Sequence, residues 1–168
     1  MSTLFRRGVF GASLAVAAIA GVGLSAAQAG ATPPPPPPSA CAQDSFNATV
    51  TPADHTAGHS HYRVTLTALD STAACTLSGS PTEVAFYQGE TPLGVEAASY
   101  GEGEAVVFGP DQPVHFDIQV PNTAGGAAAD RVDFRLQQGD GSLSPVGSAL
   151  GEITVDAGTQ VGPVQPGA

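Results

Sequence analysis

The chain has 168 residues, contains five arginines and no lysine against fifteen carboxylates, and carries a formal net charge of −10. Two of those arginines, Arg6 and Arg7, fall in the first few residues, so the rest of the chain repels phosphate backbones and anionic lipid; nucleic acid and membrane surfaces are excluded as expected partners. Two cysteines, one methionine and no tryptophan exclude a multi-cysteine scaffold and a methionine-rich copper site.

Arg6 and Arg7, the uncharged run Val9 to Leu24 and the small residues Ala27-Gln28-Ala29 have the three-part order of an export signal, with cleavage expected after Ala29. Gly8, Gly11, Gly21 and Gly23 dilute the run, which makes it a poor membrane anchor. No stable membrane insertion of the mature chain is expected. The arginine pair also suits a twin-arginine leader, from which Phe5 departs. Residues 30–40 hold six consecutive prolines, Pro33 to Pro38, and are expected to form a stiff polyproline spacer.

Beyond Cys41 the apolar residues recur with period two. Tyr62, Val64, Leu66 and Ala68 alternate with His61, Arg63, Thr65 and Thr67; Val114, Phe116, Ile118 and Val120 alternate with His115, Asp117 and Gln119; Val132, Phe134 and Leu136 alternate with Arg131, Asp133 and Arg135. Shorter runs lie at Phe46 to Val50, Ala74 to Leu77, Glu83 to Tyr87, Glu104 to Phe108 and Glu152 to Val155. Turn signals separate them at Gly79-Ser80-Pro81, Gly89 to Pro92, Gly101 to Gly103, Gly109-Pro110, Gly125-Gly126 and Gly139 to Gly141. No stretch has sustained helical periodicity. The pattern predicts an all-β domain over 41–168, an antiparallel β-sandwich of about seven to nine strands, ending in a strand that fades into a loose tail from Gly158. An exported chain with two cysteines is expected to close one disulfide, Cys41 to Cys75. A free or acylated Cys41 is the alternative, although Pro38-Ser39-Ala40 does not have lipobox character.

Candidate chemistry is sparse. His55, His59 and His61 form the single constellation of potential ligands: residues two apart on a strand share a face, so His59 and His61 can present two imidazoles to copper or zinc, with His55 reaching in from the preceding turn and His115 as a further donor. The competing reading puts these imidazoles on a solvated strand face. Ser148 lacks a nucleophile elbow, Asp140 is a hairpin residue rather than part of a calcium loop, and Glu102 and Glu104 flank glycines as a solvated turn would. No catalytic residue and no cofactor is expected, so the chain reads as a non-catalytic module that binds a partner at the envelope or outside the cell, with metal binding at His55, His59 and His61 as the alternative.

Cys41, the segment Ala57-Gly58 leading into a strand, and Cys75-Thr76-Leu77-Ser78-Gly79-Ser80-Pro81 together resemble the exported actinobacterial domain of unknown function 4232. Gly109-Pro110 before the Val114 to Val120 strand, and Val161-Gly162-Pro163-Val164 near the end, continue the likeness. The resemblance implies an immunoglobulin-like sandwich, free or tethered to the envelope, with no established activity. This chain departs from it by lacking a second cysteine pair and by having Ser80 where an aromatic is commoner, and a looser C-terminal half is expected in consequence.

Overall fold

A computed structural model describes residues 41, 46–69, 73–123 and 125–168. The expected leader and the expected proline spacer lie outside the described residues. All regular structure among the described residues is β: β1 (Phe46–Thr56), β2 (His59–Ala68), β3 (Cys75–Gln88), β4 (Thr91–Pro92), β5 (Ala98–Ser99), β6 (Val106–Phe108), β7 (Val114–Pro121), β8 (Ala127–Gln138), β9 (Gly147–Val155), β10 (Gln160–Val161) and β11 (Gln165–Pro166). They join in the order β4-β3-β8-β9-β1-β2-β7-β10-β5, with β6 added to β3 and β11 to β7.

The alternation seen in the sequence sorts the side chains as expected. Val64 and Leu66 of β2, Val114, Phe116, Ile118 and Val120 of β7, and Val132, Phe134 and Leu136 of β8 are all buried in one core. The sheet curls so that β7 and β8, distant in strand order, face each other across it. There the rings of Phe116 and Phe134 meet edge-to-face with centroids 5.0 Å apart, and Phe46 stacks on Phe134 at 6.3 Å.

Three expectations are corrected. The sheet is mixed rather than strictly antiparallel, because β1 runs parallel to β9 at Thr49 and Leu150, and β10 runs parallel to β5. Parallel and antiparallel neighbours impose the same side-chain period, so the sequence pattern carries no sign of direction. The close crossing of β1 and β9 depends on Gly151, where a Cβ would be driven into the Val50 carbonyl oxygen. The number of strands also exceeds the expectation, since β4, β5, β10 and β11 have two residues each and are too short to display a period.

The second correction concerns β3. Gly79-Ser80-Pro81 reads as a turn between two short strands, yet β3 runs on through it for 14 residues. Its ladder to β8 loses register between Ser78 and Thr82 and again between Thr82 and Ala85. Gly79 (φ 66°) and Glu83 (φ 50°) take the left-handed conformation that such irregularities require, and Pro81, which has no N–H to donate, is tolerated between them.

Third, the C-terminal segment is docked. Thr159, Val161 and Val164 are buried. The N–H groups of Gly162, Val164 and Gly167 donate to the carbonyls of Asp117, Gly79 and Pro113 at 2.9, 2.9 and 2.8 Å. The chain at Gly162 passes close to Tyr100: a Cβ there would stand 2.8 Å from Tyr100 Oη, so a larger residue requires that ring to shift. Backbone hydrogen bonds hold this half of the domain where the family resemblance led us to expect a second staple or a looser chain.

The expected disulfide is present. Cys41 and Cys75 are joined with their Cα atoms 5.1 Å apart, and both are buried. The Cys41 N–H also donates to Gln138 Oε1 at 2.9 Å, which ties this residue, ahead of β1, to the end of β8. Closing a loop with a sequence separation of 34 stabilises the fold by about 3 to 4 kcal/mol, chiefly by restricting the unfolded chain.

Candidate binding cleft

His59 and His61 do share a face of β2, with ring centroids 6.5 Å apart. That face continues across β7 in the pairs His61 with Gln119, Arg63 with Asp117 and Thr65 with His115. His61 Nε2 lies 2.8 Å from Thr56 Oγ1, and Arg63 Nε donates to Asp117 Oδ1 at 3.3 Å. His55 is exposed on β1, in the stretch between Ala53 and Thr56 where the ladder slips. His115 pairs with Thr65, about 13 Å along the strand from His61 at four residues' rise. Its Nδ1 lies 3.0 Å from the Gly167 carbonyl oxygen, an acceptor, which assigns the proton to Nδ1. Among the described residues no three His, Cys, Asp or Glu side chains converge to hold an ion.

The arginines have neighbours of opposite charge as well. Arg131 Nε is 3.2 Å from Asp133 and its guanidinium lies 4.2 Å above the Tyr87 ring; Arg135 Nε is 2.9 Å from Glu83. All three described arginines therefore stand on the outer sheet faces beside carboxylates.

A cleft of about 730 Å³ opens elsewhere. One wall is the chain from Glu102 to Val107, entering β6. The other is Pro163 to Gly167, the docked C-terminal segment, and Asp111 to Pro113 close one end. Val106, Val107, Val164 and the prolines give it an apolar lining, while Glu102, Glu104 and Asp111 supply its charge; among the described residues no lysine, arginine or histidine lines it. The walls approach closely at Gly103, where a Cβ would lie 2.6 Å from Pro163 Cβ and 3.2 Å from Gly79 Cα. At the closed end Gly109 and Gln112 exchange backbone hydrogen bonds of 3.4 and 3.0 Å around Asp111, which has φ 60°.

Sequence reasoning noticed Glu102 and Glu104 but not the cleft. The sequence pattern makes its second wall a loose tail, and without that wall the two acids are a solvated turn. The available signal was the Val161 and Val164 pair around Gly162-Pro163, too short and irregular to register as a strand.

Next to the cleft, burial pushes the Tyr100 phenol above its ordinary value, partly opposed by the hydrogen bond that Gln119 Nε2 donates to its oxygen at 2.6 Å. In exposed loops, Ser142 donors hold Asp140 below the usual carboxylate range, and Thr123 with the Ala157 N–H does the same for Asp156.

No curated protein and no solved structure matches this chain. One family model does match, over residues 41–165, a span running from the disulfide cysteine to the first residue of β11 and so including the Glu102–Val107 wall of the cleft and the start of the other. With most of its length covered, the chain belongs to the family described as a domain of unknown function, DUF4232.

Proposed function

We propose that this protein is an exported, non-catalytic module that binds a partner protein outside the cytosol through the cleft between Glu102–Val107 and Pro163–Gly167. The cleft's composition carries the reading. It combines an apolar floor with charge of one sign, has room for several residues of another chain, and has no Ser, Thr, Cys, His or Lys side chain among its lining residues. The leader-like N-terminus, the expected spacer and the disulfide support export and display at the cell surface.

Site-specific photocrosslinking in the producing cells tests it. A photoreactive residue in place of Val107 is expected to give a protein adduct, and one in place of Leu150, exposed on β9 and outside the cleft lining, is not. Equal labelling from both positions, or none from Val107, contradicts the proposal. The metal alternative is separated by metal analysis of untagged protein: stoichiometric copper or zinc that is lost in His59→Ala/His61→Ala would replace this reading.

A further inference from the structure

The Thr76 carbonyl accepts a hydrogen bond from the Gly139 N–H on the β8 side of β3. Backbone groups of successive residues in an antiparallel strand point to opposite edges, so Cys75 and Leu77 turn theirs toward β6, where Phe108 and Val106 are their ladder partners. By the same alternation, the N–H and C=O of Val107 point the other way. That edge begins at Gly109, whose N–H and C=O are taken up by Gln112, and continues from there into the cleft. Among the described residues no strand pairs with it. The Val107 side chain beside it is 45 % exposed.

Resting on the proposal that the cleft binds a partner protein, we infer that the partner enters as an extended, cationic segment that adds a strand to the free edge of β6. An unpaired edge supplies alternating donors and acceptors to any extended chain, which sets the conformation of the ligand but not its sequence. The sequence preference comes from the walls: Glu102, Glu104 and Asp111 face a groove without a counter-cation, while Val106, Val107 and the prolines favour apolar side chains between the charges. A ligand strand with basic and apolar residues at alternate positions places one kind on each of its faces. The same carboxylates and prolines disfavour addition of a second copy of this acidic chain to the edge.

The test uses capped peptides of about ten residues, long enough for one strand, in which valine alternates with arginine, with serine or with glutamate, added to the disulfide-bonded protein and followed by amide NMR. The arginine peptide is expected to shift the amides of Ala105, Val107, Val164, Gln165 and Gly167, to bind at least about tenfold more tightly than the serine peptide, and to leave the glutamate peptide without effect. Glu102→Gln/Glu104→Gln/Asp111→Asn should lower affinity for the arginine peptide at least about tenfold; asparagine suits the left-handed conformation of position 111. Val107→Pro removes the outward donor and should lower affinity as much. The ligand-side counterpart cannot unfold the protein: methylating the amides of all valines, or of all arginines, must abolish binding for one set and spare the other, because alternate amides face the two edges of the peptide.

Equal affinity of the arginine and serine peptides at the cleft would overturn the cationic class and leave the cleft as a binding site. Both methylated sets binding alike would overturn strand addition. Shifts scattered over the acidic surface, with affinity unchanged in the triple variant, would reduce the interaction to general charge attraction and overturn the inference. No shift at the cleft with any of the three peptides would remove the cleft reading itself.

Discussion

Glycine positions decide whether the layers of this sheet can approach. Gly151 sits against the backbone of Val50 at the one place where β1 and β9 pair, and Gly147 sits where a Cβ would be 2.7 Å from Phe46 Cζ. Gly151→Ala has no flexible neighbour to displace and is expected to destabilise the domain by about 2 to 4 kcal/mol, as steric overpacking against backbone does; chemical denaturation measures it. Tyr100 contributes a pH dependence. Its folded-state pKa lies above 10.0 because burial disfavours the phenolate, so its contribution is complete below the unfolded value near pH 10 and is lost as pH rises through the folded value. Asp140 and Asp156 have the opposite sign, with contributions present above 3.8 and lost as pH falls through their lowered values. Tyr100→Phe should flatten the alkaline limb of a stability-versus-pH curve and leave the acid limb unchanged.

The strands of three or more residues were legible in the sequence, at least in part, and the two-residue strands β4, β5, β10 and β11 were not. In β7 and β8 each expected inward residue is buried, because side-chain period two is all that a half-buried strand needs; β7 keeps it throughout and β8 keeps it from Val132 on, after a register slip between Ala129 and Arg131. β3 breaks the rule through its irregular stretch, and β10 and β11 are held by backbone hydrogen bonds around Val161 and Val164, which no periodicity announces. The consequences differ by element. Phe134→Ala removes the ring that Phe46 and Phe116 pack upon and is expected to cost about 3 to 5 kcal/mol. Removing residues 159–168 exposes the surfaces that buried Val161 and Val164 cover, at about 1.5 to 3 kcal/mol each, and erases one wall of the cleft. That truncation should therefore lower stability by roughly 3 to 6 kcal/mol in denaturant unfolding.

At the scale of the whole molecule, one disulfide and one docked C-terminal segment close a mixed sheet around a single aromatic core. The cysteine pairing was legible because a chain with two cysteines offers one intramolecular pair; the cleft was not, because its walls, Glu102–Val107 and Pro163–Gly167, are far apart in sequence and meet only in the folded sheet. Cys41→Ser/Cys75→Ser should lose about 3 to 4 kcal/mol, read as a lower denaturation midpoint with a steeper slope, because the unlinked unfolded chain exposes more surface. The account as a whole rests on the C-terminal segment being part of the fold, since the cleft exists only if that segment is docked. Native-state hydrogen exchange resolves this at three amides: Gly162, Val164 and Gly167 should be protected to an extent comparable with Phe116 and Phe134 in β7 and β8. Exchange of those three at the rate of an unstructured peptide, with β7 and β8 protected, would contradict it.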